Sequence, residues 1–225
     1  MQLKENSPLD RYNWTKKKID EIKSAALKTD FITLYDIGSR DNILKKYIAD
    51  AGLDYKAFDL APLDASAEQW DIEKPFPYQH KAPQIITMLE IVEHLKNPWL
   101  CMKNIFDTLA PGGYLVLTTP NPAASNSRLY LMRNGELACF TKTDLELNHH
   151  VFIPWPHIVE RLLTDSGFGI VEYSTIDGKT QLFDKNMGGL AFPARLASRL
   201  IKKAIESADP TACGMSYGIV ARRIG

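Results

Sequence analysis

Apolar residues along the chain gather into short β-branched and aromatic runs, separated by stretches in which they recur at helical spacing. Phe31-Ile-Thr-Leu-Tyr-Asp-Ile-Gly38 is the first run, and its closing glycine predicts a buried strand that ends there. Tyr55–Asp59, Gln69–Ile72, Gln84–Leu89, Tyr114–Thr119, Ile170–Ile176 and Met215–Ala221 predict further strands. Between them, Trp14, Ile19, Ile22 and Leu27 recur at helical spacing behind Asp10, a good N-cap, and predict a helix packed on the domain edge. Ile43–Asp50 predicts a short helix. Asn97 followed by Pro98 opens a helix that runs to Leu109 and stops at Ala110-Pro-Gly-Gly113, and Pro156–Ser166 predicts another, ended by Gly167.

This alternation predicts an α/β fold, a doubly wound and mostly parallel seven-stranded sheet with helices on both faces. Residues 1–30 read as an N-terminal helical extension and 31–225 as the main domain. Within it, Pro122–Ile153 is irregular and Lys179–Thr211 is an insertion, both expected to cover the substrate side. The insertion carries the amphipathic stretch Leu190–Ile205, with Leu196, Leu200, Ile201 and Ile205 on its apolar face and four basic residues on the other, read as a lid, the alternative being a membrane anchor whose basic face meets anionic lipid or a lipid-linked sugar.

Composition narrows the possibilities. At 225 residues and 45% hydrophobic, the chain is long enough for one large core. Its 27 basic and 27 acidic side chains cancel, which argues against a nucleic-acid acceptor. Cys101, Cys139 and Cys213 never form a C-x-x-C pair and read as reduced thiols. A polar N-terminus without an apolar signal core, and the lack of any long apolar run, predict a cytoplasmic protein with no transmembrane segment.

In an open α/β sheet, ligands sit beyond the carboxyl ends of the strands. There Gly38 allows close approach of the backbone to a ligand, and Asp36 offers an acceptor to an ammonium group. Asp59 follows 23 residues later, placed to take both hydroxyls of a ribose. The carboxylate of Asp71, beside Trp70, can accept from an adenine amino group or can simply be a solvated loop acid. The sequence lacks G-x-G-x-x-G, with Arg40 and Ile43 at the other two positions, so a dinucleotide is disfavoured.

Taken together, Asp36-Ile-Gly38, Asp59, Trp70-Asp71-Ile72 before Pro75-Phe-Pro77, Glu90-Ile-Val-Glu-His-Leu95, Leu109-Ala-Pro-Gly-Gly113 and Thr119-Pro-Asn121 resemble class I S-adenosylmethionine-dependent methyltransferases, in the group that includes ubiquinone-biosynthesis O-methyltransferases. The resemblance spans about Leu34 to Tyr173 and implies a Rossmann-like fold with S-adenosyl-L-methionine as methyl donor. It implies that Gly38 passes under the methionine part, that Asp59 holds the ribose, that Asp71 and Ile72 border the adenine, and that Leu89 and Glu90 flank the cofactor. Asp36, Ser39 and Leu60 complete the expected cofactor-binding set. The first loop departs from the family, which has further glycines where this chain has Arg40 and Asn42. Asn tolerates a left-handed backbone, whereas Arg40 calls for an ordinary one.

Glu90, Glu93 and His94 are spaced i, i+3, i+4 and share a face if the chain turns helical after the fourth strand; His149 and His150 follow over the same sheet edge. Glu90, Glu93, His94 and His149 thus form a candidate site for Mg²⁺, Mn²⁺ or Zn²⁺, and such a cation would lower the pKa of an acceptor hydroxyl. The Glu-x-x-Glu-His pattern also resembles the metal site of small-RNA 3′-terminal 2′-O-methyltransferases. The alternative has no metal: Glu90 contacts the cofactor and His94 acts as a lone base. His94, His149 and His150 are the candidate catalytic proton acceptors. Arg128, Tyr130 and Arg133 could grip a phosphate or sugar, or could be solvated.

The expected activity is O-methylation of a small-molecule, glycan or lipid-linked acceptor. An inactive methyltransferase-like scaffold and an RNA 2′-O-methyltransferase are the alternatives.

Overall fold

The computed structural model describes residues 1–27, 31–48, 52–183 and 192–224. Its eight strands are β1 (Glu5–Asn6), β2 (Ile32–Ile37), β3 (Leu53–Asp59), β4 (Glu68–Gln69), β5 (Ile85–Leu89), β6 (Tyr114–Pro120), β7 (Phe168–Ile176) and β8 (Ser216–Arg223). They form one sheet in the order β1-β7-β8-β6-β5-β2-β3-β4. All described pairings are parallel except those of β8, which lies antiparallel between β6 and β7. The expected mostly parallel α/β sheet is therefore present, with one strand more than the seven read from sequence. That extra strand is β1, two polar residues whose backbone pairs with Ser174 and Thr175 and whose side chains carry no hydrophobic signal.

Helices α1 (Arg11–Glu21), α2 (Ile43–Tyr47), α3 (Pro98–Thr108), α4 (Ser125–Asn134), α5 (Pro156–Asp165) and α6 (Phe192–Ala208) connect the strands. Two caps follow the sequence rules: Asp10 accepts from the backbone N–H groups of Tyr12 and Asn13, and Asn97 accepts from Leu100 ahead of Pro98. Strands β2, β5 and β6 are buried on both faces almost to their ends, their few polar residues included, so the sheet separates two cores. One core gathers Tyr35, Phe58, Met88, Met102, Ile105 and Leu163; the other gathers Trp14, Ile19, Leu34, Ile85 and Val116.

Several expectations need correction. Helix α1 does not ride on the domain edge: Trp14 is fully buried, and a β-carbon on Gly218 of β8 would sit 2.4 Å from its ring. The lack of a side chain at Gly218 is what lets α1 seat on the sheet. Buried Lys18 adds an ion pair of 2.7 Å to Glu172 of β7. The third strand is shorter than expected, since only Glu68–Gln69 pair with β3. Trp70 instead turns its ring into the Phe58–Phe76 aromatic cluster and donates to the Lys74 carbonyl at 3.0 Å. The stretch read as irregular contains α4, whose polar sequence gave no apolar stripe. Of the short helix read over Ile43–Asp50, Ala49 and Asp50 lie outside the described residues, as do Leu190 and Ala191 of the amphipathic stretch.

Candidate functional site

The carboxyl ends of β2, β3 and β5 meet at the centre of the sheet, and a cleft opens above them. It has two adjoining parts of about 690 Å³ and 480 Å³, which share Gly38, Arg40, Asp59, Ile91 and His94 in their walls.

The loop after β2 forms the floor. The N–H groups of Gly38 and Ser39 both donate to the Phe58 carbonyl, at 2.8 and 3.1 Å, pinning the loop to β3. Gly38 has φ +75°, and a β-carbon there would lie 2.0 Å from Ile91 Cδ1. Asn42 is left-handed as its residue type allows, with φ 55°. Arg40 is a correction: it too is left-handed, with φ 46°, held by its N–H donating to Asp59 Oδ2 at 2.9 Å. Ser39 lines the cleft, and its buried Oγ has no hydrogen-bond partner among the described residues.

Asp36 lies beneath this loop. Its Oδ1 accepts from Thr87 Oγ1 and its Oδ2 from the Tyr55 hydroxyl, each at 2.7 Å. Full burial pushes the carboxyl up to about 6 against those two bonds. Asp59 stands at the wall between the two parts of the cleft; besides Arg40 its Oδ1 takes the Ala61 N–H at 2.8 Å, and each oxygen retains a second lone pair. Leu60, Asp71 and Ile72 line the wider part, with Asp71 paired to Lys74 at 3.1 Å and the Ile72 carbonyl held by Asn104 at 2.8 Å.

Leu89 and Glu90 close the narrower part. Glu90 has φ 56°, so the chain does not enter a helix there; only Val92–His94 form a 3-10 turn. The expected shared helical face of Glu90, Glu93 and His94 is thus broken by a left-handed residue at its start. Glu90 accepts from Thr118 Oγ1 at 2.9 Å and faces the Arg11 guanidinium at 3.7 Å; burial raises its pKa against both. Arg11 and Tyr12, which the sequence reading left in the extension, line this part of the cleft, and the Tyr12 ring stacks on Tyr47 at 5.1 Å.

At the other end, Glu93, His94 and His150 bring one ligand-type atom each to within 4.8 Å of one another. The N–H groups of Val151 and Phe152 donate to the Glu93 carbonyl at 2.9 and 3.0 Å, which fastens the histidine segment over the turn. His94 and His150 meet edge to face, with ring centroids 4.9 Å apart. Nδ1 of His150 donates to the Cys139 carbonyl, leaving Nε2 with the lone pair. Burial, then the Glu90 carboxylate, pushes Glu93 up to about 8, while burial and then His150 lower the pKa of His94. Glu90 and His149 stand outside this three-residue group, although His149 lines the same cleft. Arg128 and Tyr130 lie on α4, where Arg128 pairs with Asp209, and Arg133 is exposed on the same helix.

The model of the methyltransferase domain family matches residues 11–173. The chain is 28% identical over 190 residues to the ubiquinone biosynthesis O-methyltransferase of Psychrobacter arcticus, covering 74% of this chain and 72% of that one. An S-adenosylmethionine-dependent methyltransferase from Archaeoglobus fulgidus superposes with TM-score 0.58 at 15% identity, over 92% of this chain and 94% of that chain. The N-methyltransferase NodS from Bradyrhizobium japonicum superposes at 0.52 with 14% identity, over 96% and 100%. Oxygen and nitrogen methylation thus appear among the names of its relatives and neighbours, so the fold alone does not name the nucleophile.

Proposed function

The chain belongs to the methyltransferase domain family and is an S-adenosylmethionine-dependent methyltransferase, and from that premise we propose that it methylates a hydroxyl oxygen of a small-molecule, glycan or lipid-intermediate acceptor. The observation that carries this reading is the position of His94, in the walls of both parts of the cleft, between the Gly38–Asp59 loop and the Glu93–His150 pair.

The cleft suits the cofactor. Gly38 provides a cradle that a β-carbon would fill, Ser39 offers an unpaired hydroxyl, and Asp59 has spare acceptor capacity for a ribose. Leu60, Asp71 and Ile72 would border the adenine, and Leu89 and Glu90 the methionine part. Arg11 supplies a cation for the methionine carboxylate, offset by Glu90. Asp36, with both oxygens engaged by Thr87 and Tyr55, acts by fixing the floor. When bound, S-adenosylmethionine supplies an electrophilic methyl group. The protein's task is then to align an oxygen and accept its proton. His94, kept neutral by burial and by His150, is suited to take it.

Convergence of Glu93, His94 and His150 favours a second element, a divalent cation. One carboxylate with two imidazoles suits Mn²⁺ or Zn²⁺ better than Mg²⁺. Such a cation would lower the pKa of an acceptor hydroxyl. With the cation bound, His149 in the same wall takes over as proton acceptor.

The test is labelled-methyl transfer to paired acceptors that differ only in carrying a hydroxyl or an amine, with and without chelator. Transfer to the hydroxyl supports the reading. Transfer confined to the amine overturns it, and transfer to the hydroxyl unchanged by chelator removes the cation.

A further inference from the structure

Arg11, Tyr12 and Tyr47 form a chain of ring contacts at the cleft. The guanidinium carbon of Arg11 lies 5.2 Å from the centroid of the Tyr12 ring, and that ring stacks on Tyr47 at 5.1 Å, 18° from parallel. The two tyrosines come from different helices, α1 and α2, which pack on each other. Arg11 and Tyr12 line the narrower part of the cleft, and Ile43 and Leu44 of the helix that carries Tyr47 line it as well.

An arginine side chain has much rotamer freedom to lose before it can grip a ligand. Arg11 is restrained at both ends. One helical turn after its backbone stands Trp14, fully buried against Gly218. Its charged head is drawn by Glu90, 3.7 Å away, and by the negative face of the Tyr12 ring. Glu90 by itself would pull the guanidinium onto its own carboxylate, with which an incoming carboxylate has to compete. The contact with Tyr12 draws on the positive charge and uses none of the N–H donors, so it holds the cation and leaves those donors for carboxylates. Tyr12 sits in the first turn of α1, partly exposed, and its stacking on Tyr47 fixes the ring.

We propose that Tyr12 and Tyr47 are positioning residues for the cofactor: the Tyr12 ring, braced by Tyr47, holds the Arg11 guanidinium where the carboxylate of the methionine moiety enters. This rests on the reading of Arg11 as the partner of that carboxylate. It also joins two walls of the site. Helix α2 begins directly after the loop in which the Gly38 and Ser39 N–H groups are bound to β3, so one aromatic pair braces the loop and the arginine against each other.

The experiment compares the affinities of S-adenosylhomocysteine and 5′-methylthioadenosine, which share the adenosine and the sulfur and differ in the amino-acid end. Arg11→Ala should lower the ratio of the two affinities about tenfold, as for one lost hydrogen bond to a charged group. Tyr12→Leu should lower it roughly two- to fivefold, the range of a partly exposed cation–π contact. Tyr47→Ala should move it in the same direction, and Tyr12→Phe, which keeps the ring, should hold the wild-type ratio. The affinity for 5′-methylthioadenosine should stay at the wild-type value throughout, which also verifies folding. Arg11→Ala with Tyr12→Leu should be no worse than Arg11→Ala alone, because the ring acts only through the guanidinium. A ratio unmoved by Arg11→Ala removes the carboxylate reading and the proposal with it. A ratio that responds to Arg11→Ala but not to Tyr12→Leu or Tyr47→Ala overturns the proposal alone. So do equal losses for both ligands, a Tyr12→Phe variant as impaired as Tyr12→Leu, or losses that add in the double variant.

Discussion

Gly38 and Ile91 stand so close that a β-carbon on the glycine would fall 2.0 Å from Ile91 Cδ1, with the glycine already at φ +75°. Gly38→Ala therefore combines a steric overlap with a disfavoured backbone. It should cost roughly 1–3 kcal/mol of stability and lift Ile91 into the cofactor space. Urea unfolding together with calorimetry against S-adenosylhomocysteine reads both; a variant with unchanged affinity would show that the loop does not cradle the cofactor.

Asp59 joins two backbone donors and the space beside them. Removing it as Asp59→Ala should weaken S-adenosylhomocysteine roughly 10- to 100-fold, from about 1.5–3 kcal/mol per hydrogen bond to a charged group. The corresponding loss for adenine alone should be small. Equal losses for both ligands would move the carboxylate away from the sugar.

The Arg11 guanidinium, 3.7 Å from Glu90, is expected to recognise the carboxylate of the methionine moiety. Arg11→Ala should raise KM for the cofactor by about tenfold with little change in kcat. A matching experiment uses decarboxylated cofactor, against which wild type and variant should behave alike.

Asp36 makes stability depend on pH in a defined direction. Its folded-state value of about 6 exceeds the ordinary 3.8, so its contribution is present below the ordinary value and is lost as pH rises through about 6. The loss is roughly 3 kcal/mol at about 1.4 kcal/mol per unit. The stability of wild type minus that of Asp36→Asn should therefore fall across this window. Parallel urea midpoints over the same range would contradict it.

If a cation sits among Glu93, His94 and His150, chelation should stop methyl transfer and added Mn²⁺ should restore it. His150→Ala should lose bound metal by elemental analysis and lower kcat on the order of 10²-fold. A protein that purifies without metal and keeps its activity in chelator would leave His94 acting alone.

Much of the frame was legible because β2, β5 and β6 are rich in β-branched, aromatic and other apolar residues and because Asp10, Asn97, Pro98 and Gly167 mark helix ends by local chemistry. The wall of the cleft was legible for the same reason, since Gly38, Asp59 and Leu89 sit where such strands stop. What escaped was set by tertiary contacts. Arg40 is left-handed because Asp59, from another strand, holds its N–H. The approach of His150 to Glu93 depends on the long-range backbone hydrogen bonds that Val151 and Phe152 donate to the Glu93 carbonyl. Arg11 reaches the cleft only because Trp14 can lie against Gly218, more than 200 residues later. The periodicity of α6 was readable, but the inward engagement of Arg199, Lys202 and Glu206 was not, since that depends on Gln181, Asn126 and Ser125.

The antiparallel strand β8 has a consequence for biogenesis. Because Ser216–Arg223 slot between β6 and β7, the two halves of the sheet are not joined until that segment has emerged from the ribosome. Until then Tyr114–Pro120 and Phe168–Ile176 each carry an open row of backbone donors and acceptors. A nascent or truncated chain lacking β8 is thus a ready client for chaperones, and nonsense mutations ahead of Ser216 should yield aggregates instead of weakened enzyme.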